Sequence, residues 1–231
     1  MNDQLRQHDG GQARTRLGLL GGTFDPIHFG HLDAAAAACQ ALRLDEIRFI
    51  PSHDPPHRSS DPHASAFHRF ALVALAIEEQ PSYRASDLEL QRDGPSYTTD
   101  TLRAVREEGW RASQIFFILG ADAFAEIATW KEFPTVLDAA NFVVIARPGT
   151  SLDAAAARTP SLRARLRHAD GAAIEDERTF VFLVEAATRD VSSTAIRARL
   201  AAGQSIDDLV PAPVARHIAA HKLYGCRSVR L

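Results

Sequence analysis

Leu17-Gly18-Leu19-Leu20 runs straight into Gly21-Gly22, and an Ala-rich helical stretch from Gly30 to Leu42 follows within a few residues. Glu46–Ile50 then alternates as a second strand and stops at Pro51. Strand, helix, strand in that order implies parallel pairing through a right-handed crossover. Further strand patterns at Arg84–Leu90, Ile115–Leu119, Asn141–Ala146 and Phe180–Val184 alternate with helical ones. Ser65 caps a helix to about Glu79, with Phe67, Phe70, Ala71, Ala74, Leu75 and Ile77 as its core-facing stripe. Thr98–Glu107 is helical, Ser192 and Ser193 open a helix to Ala202, and Pro211 or Pro213 opens a last one ending near Tyr224-Gly225. The expected class is α/β, a doubly wound parallel sheet with a small C-terminal helical part. Its ligand belongs at the carboxyl ends of the strands.

Composition narrows the classes. A chain of 231 residues with 45% hydrophobic content is expected to be one large domain, or one domain with a small subdomain. A net charge of −3 argues against a broad nucleic-acid surface. Cys39 and Cys226 form no disulfide framework or CxxC site, so a reduced, cytoplasmic setting is expected. The longest apolar run, Phe70 to Ile77, is too short to span a membrane. Residues 1–16 are polar, lack an apolar signal core and read as a flexible tail. The main domain runs over 17–225, its C-terminal part over 190–225 and a short tail over 226–231. The Ala/Arg-rich segment 150–173, interrupted by Pro160 and Gly171, reads as a variable helical insertion. There is no G-x-x-x-x-G-K-[ST] and no G-x-G-x-x-G, which removes P-loop enzymes and ordinary dinucleotide dehydrogenases.

Two short runs carry chemistry. Gly21 and Gly22 leave room for a ligand to approach the backbone, and the N–H groups opening the next helix attract anions. His28 and His31, at i and i+3, bring both rings near one face, where they can donate to phosphoryl oxygens. Such a pair alone is also a solvated helix start or half a metal site. Near the C-terminus, Ser192-Ser193-Thr194-Ala195-Ile196-Arg197 offers hydroxyls, free N–H groups and a guanidinium on one helical face. Ser and Thr there are by themselves only caps.

Taken whole, GGTFDPIHFGH (residues 21–31) resembles the GGTFDP…HxGH signature of the nucleotidylyltransferase superfamily, and SSTAIR (192–197) resembles its SSTxIR signature. Over roughly residues 17–225 the chain resembles the bacterial nicotinate-nucleotide adenylyltransferases. The carrying segments are Pro51–Arg58, Glu89–Arg92 with Pro95–Leu102, Gly120-Ala121-Asp122, Thr129-Trp130-Lys131 and Ala146–Gly149. The resemblance implies a Rossmann-like fold and transfer of the adenylyl group of ATP to nicotinic acid mononucleotide (NaMN), giving deamido-NAD and pyrophosphate in NAD biosynthesis. It implies that Gly21, Gly22, Thr23 and Phe24 line the ATP site. His28, His31 and Arg197 would be catalytic, Ser193, Thr194 and Arg197 would hold the β- and γ-phosphates, and Asp122 would take the ribose. His57, Arg58, Thr98, Trp130 and Arg147 would place the acceptor.

The expected chemistry is in-line displacement at the α-phosphorus. Mg²⁺ would be bound mainly through the ATP phosphates, without a protein metal site. NMN or another phosphorylated acceptor such as phosphopantetheine is the nearest rival substrate. A nucleotide-binding regulator is the non-enzyme rival. The ten histidines are too scattered for a metal-binding module. The partners expected are ATP and NaMN, without nucleic acid or membrane, and a homo-oligomer is left open.

Overall fold

The computed structural model describes residues 15–55, 62–146, 160–169 and 177–226. Seven strands form one sheet in the order β3-β2-β1-β4-β5-β7-β6, and every neighbouring pair is parallel. In chain order the main elements are β1 (Leu17–Gly22), α1 (Phe29–Leu42), β2 (Glu46–Pro51), α2 (Ala66–Ala76), β3 (Tyr83–Ala85) and α3 (Thr98–Glu107). There follow β4 (Ile115–Gly120), α4 (Ala121–Ala125), β5 (Asn141–Ala146), α5 (Pro160–Arg163), β6 (Leu166–His168), β7 (Val181–Glu185), α6 (Ser193–Ala201) and α7 (Ala212–Ala220). The order reverses between β1 and β4: the chain first winds outward to β3, then returns to the other side of β1. In open α/β sheets the crevice at that reversal, above the strands' carboxyl ends, is where ligands bind.

The core is two apolar layers separated by the sheet. Leu20, Phe116, Ile118, Val143 and Ile145 face one layer with α1, α2, α6 and α7. Leu17, Leu19, Ile115, Phe117, Leu119, Phe142 and Val144 face the other with α3. The central strands therefore read as continuous apolar runs, because both faces are buried. Gly18 is set by packing: a Cβ there would stand 2.9 Å from Leu44 Cδ1 and 3.0 Å from Ile47 Cγ1. Asn141, fully buried, donates to the carbonyls of Ser113 (3.1 Å) and Ile115 (3.3 Å) and accepts from Phe180 N–H (2.9 Å). It pins the start of β5 between its two neighbours.

Four details differ from the sequence reading. The strand expected over Arg84–Leu90 is only Tyr83–Ala85, because β2 offers three partners there. After Ser86 N–H donates to Phe49 O the chain turns on itself, with Gln91 bonded back to Asp87. Within the segment expected to be a helical insertion, the described part holds the single turn α5 and then the edge strand β6 on β7. The last helix stops at Ala220, where Lys222 and Tyr224 take left-handed backbone (φ 52° and 59°) and redirect the chain. On α2 the buried face is Arg69, Leu72 and Val73, while Phe67 is 87% exposed. An apolar stripe cannot anticipate a buried arginine. Arg69 is carried inside because its guanidinium donates to Thr23 O (2.8 Å) and reaches His53 O (3.5 Å).

Candidate active site

The turn after β1 is built around Phe24. Its backbone is left-handed (φ 50°), and its ring lies where a side chain on residue 22 would go, 3.2 Å from a Gly22 Cβ. At Gly21 a Cβ would make only ordinary contact, 3.5 Å from Phe117 Cζ, so packing alone does not demand that glycine. The Phe24 ring meets His31 edge-on at 5.0 Å.

His28 and His31 stack, with centroids 3.7 Å apart and planes 27° apart. His28 caps α1 and its N–H donates to His31 Nδ1 at 3.2 Å. A neutral His31 that accepts at Nδ1 carries its proton on Nε2, which is therefore the nitrogen able to donate outward. Both rings are neutral near pH 7. Burial lowers His28 to about 4, with Asp33 partly opposing. Burial, then the neighbouring His28, hold His31 well below the usual imidazole range. His28 Nδ1 is buried without a partner among the described residues. Gly30 completes the unit: a Cβ there would stand 3.1 Å from His28 Nδ1 and 3.3 Å from Arg189 O. Any side chain at that glycine of HxGH would need the ring beside it to give way.

The second signature docks on this turn. Ser192 caps α6, accepting from Ala195 N–H at 3.1 Å. Ser193 Oγ donates to Pro26 O at 2.9 Å, so its hydroxyl is engaged within the protein. Arg197 donates to Asp25 O at 2.7 Å and to Thr194 Oγ1 at 3.2 Å. A second brace joins the same helix starts. Arg189 grips Asp33 through its guanidinium (2.7 and 2.9 Å) and its N–H (3.0 Å), and lies 3.9 Å over the Phe29 ring. Hydrogen bonds from Arg189 hold the Asp33 carboxyl below its ordinary range. Asp122 stands exposed in the first turn of α4, at the carboxyl end of β4, the strand beside β1. Gly21–Phe24, His28 and His31 thus lie at or after the end of β1, Ser193, Thr194 and Arg197 on the helix bonded to that turn, and Asp122 just after the neighbouring β4. Two helix N-termini open there, a ready site for a polyphosphate.

Across Phe117 lies the other half. Trp130, partly buried, stands edge-on to Phe117 (6.1 Å, 89°), the ring that also underlies Gly21. Thr98 opens α3, and the adjoining Thr99 Oγ1 donates to Lys131 O at 2.9 Å, fastening Trp130's segment to that helix start. Lys131 pairs with Asp100 (3.0 Å) and lies 4.8 Å over the Tyr97 ring. Beneath them Thr101 Oγ1 donates to buried Glu89 and accepts from Arg92 at 2.9 Å. Burial raises the Glu89 carboxyl, with hydrogen bonds from Thr101 and Ser96 opposing. Ser96 ties in the end of β2, accepting from His53 N–H (2.9 Å) and donating its own N–H to Asp54 O (2.8 Å). His57, Arg58 and Arg147 lie outside the described residues.

The cytidylyltransferase-like family profile matches residues 19–199. A relative from Symbiobacterium thermophilum, named a probable nicotinate-nucleotide adenylyltransferase, is 41% identical over 215 residues, covering 90% of this chain and 95% of its own. One from Pseudomonas aeruginosa with the same name is 40% identical over 209 residues, covering 90% and 97%. The chain belongs to the nicotinate-nucleotide adenylyltransferase family. A solved Plasmodium falciparum nicotinic acid mononucleotide adenylyltransferase, complexed with NaAD, is similar in fold, with a TM-score of 0.67, 18% identity, and coverage of 92% of this chain and 98% of that one.

Three residues of this frame escaped the site reading: Asp25, Arg69 and Glu89, all buried. Asp25 stands inside the GGTFDP run and Glu89 inside the acceptor-side run, so the motifs contained them. Only burial shows that their charges work inside the protein.

Proposed function

We propose that the chain transfers the adenylyl group of ATP to NaMN, forming deamido-NAD and pyrophosphate. The observation that carries the phosphate half is the direct bonding of the two signatures, Ser193 to Pro26 and Arg197 to Asp25, over the β1–β4 crevice. A phosphate oxygen of NaMN attacks the α-phosphorus of ATP in line and pyrophosphate leaves. The nucleophile is already an anion, so no protein base is needed. Catalysis is positioning plus neutralisation of charge in the transition state. His28 and His31, neutral in the free protein, donate N–H groups to the α- and β-phosphates. Arg197, Thr194 and the N–H groups opening α6 hold the β- and γ-phosphates, Ser193 contributing its backbone. Asp122 accepts the ribose hydroxyls. Thr98 and Trp130 place the nicotinate, the ring by stacking, and His57, Arg58 and Arg147 complete the acceptor side.

Mg²⁺ enters with ATP. Among the described residues no three His, Cys, Asp or Glu side chains form a group that could hold a metal ion. The hard oxygens of the triphosphate, with water, are donors that suit Mg²⁺, and the ion would offset phosphate charge there. No helix among the described residues is long and apolar enough to cross a membrane. The two cysteines, Cys39 and Cys226, stand far apart in the sequence with no CxxC pattern, which supports a reduced, cytoplasmic place of action. ATP labelled at the α-phosphorus tests the reaction: the label should appear in deamido-NAD, with unlabelled pyrophosphate in equal amount. Label released as AMP, or transfer of the γ-phosphate, would overturn it.

A further inference from the structure

The Asp25 side chain is fully buried, yet nothing in the reaction above uses it. Its carboxylate accepts the N–H groups of His63 (2.9 Å) and Ala64 (3.0 Å), which precede α2, and lies 3.3 Å from His63 Nδ1. Arg197 Nη1 donates to the Asp25 carbonyl at 2.7 Å and stands 3.8 Å from its carboxylate. The Tyr224 hydroxyl, on the turn after α7, is buried near the same carboxylate without a hydrogen-bond partner among the described residues, and buried Arg69 holds the neighbouring Thr23 carbonyl at 2.8 Å. Segments from four distant parts of the chain therefore meet at one side chain.

We propose that Asp25 is a positioning residue for adenylyl transfer: tied to the segment before α2, it fixes the Arg197 guanidinium against the turn after β1, where the triphosphate lies. This rests on the reading of Arg197 as a phosphate ligand. A guanidinium that anchors one nitrogen on the protein has its remaining donors aimed in a set direction, because the group is planar and rigid. The carboxylate is ionised for this work. Burial pushes its pKa up, but the His63 and Ala64 N–H groups, then Tyr224 and Arg197, outweigh that and hold it below the ordinary value. A buried charge of this kind seldom adds net stability, and fixing one geometry is the better-attested use.

The test is a double-mutant cycle on kcat/KM for ATP, with thermal unfolding measured in parallel. Asp25→Asn should cost about 10²-fold, the scale of a misplaced catalytic group. His63→Ala, which removes the Nδ1 contact to the carboxylate at 3.3 Å, should cost about fivefold, the scale of one hydrogen bond. In the Arg197→Ala background each should shrink below about twofold, because coupled residues are not additive. If Asp25→Asn does not fold, the His63→Ala cycle, made at a half-exposed side chain, decides alone. An Arg197→Ala protein with unchanged ATP kinetics would refute the phosphate role itself. A large Arg197→Ala effect on which the Asp25 and His63 losses simply add would leave that role standing and overturn the positioning proposal.

Discussion

His31 presents a proton from Nε2 because its Nδ1 is committed to the His28 N–H. His31→Ala removes that donor and should lower kcat by about 10²-fold or more, the loss typical of one transition-state donor, while the unfolding temperature moves by a few degrees. Steady-state kinetics on folded protein check it; an unchanged kcat rules out the role. Trp130 is a different case, since its ring partly packs on Phe117 and Phe142. Trp130→Ala should raise the KM for NaMN and leave that for ATP nearly unchanged. Equal losses for both substrates would make it a packing residue only. The residues that name the chemistry were legible in the sequence because each is a polar group in a fixed local pattern. Asp25 and Arg69 were not, because their partners come from segments far along the chain and only folding brings them together.

Within α1, Gly30 shows how an element serves the site. Alanine is the better helix former by up to about 1 kcal/mol, so propensity alone favours Gly30→Ala. Its Cβ would nevertheless press on the His28 ring, which is already stacked on His31. The expected outcome is a helix retained by circular dichroism with kcat/KM reduced about tenfold or more by the misplaced ring. Full activity would show that His28 can yield without consequence. The elements themselves were legible where they are long and periodic: Thr98–Glu107 and Asn141–Ala146 match residue for residue. Short edge strands were not. β3 and β6 take their strand character from one neighbour each, over three residues, too few to show a period. The stripe on α2 misled for another reason. Arg69, held by tertiary hydrogen bonds, joins Leu72 and Val73 on the buried face, while Ile77 of the expected stripe is buried as well and Phe67 is exposed.

For the whole molecule, burying neutral histidines makes stability depend on pH. His28 falls from 6.5 to about 4 on folding, so between those values the unfolded chain binds more protons than the folded one. Stability is full above about pH 6.5 and is lost as pH falls toward 4; His31 and His217 shift the same way. For His28 alone the loss is about 2 kcal/mol by pH 4.5, an order-of-magnitude figure. Urea unfolding between pH 7 and 4.5 should show the fall, and it should be shallower in His28→Asn; a flat profile would contradict neutral burial.

The overall winding was legible because alternating strand and helix patterns admit few topologies. The meeting of the two signatures is a property of the folded molecule alone, since residues 25–26 and 193–197 join only across the finished sheet. The most direct test of that joint site as an adenylyl-transfer site is pyrophosphate release from ATP and Mg²⁺, with NaMN, NMN and phosphopantetheine compared side by side. Release that strongly favours NaMN is the result predicted. Preference for another acceptor would contradict the acceptor half of the site, and no release with any of the three would contradict transfer itself.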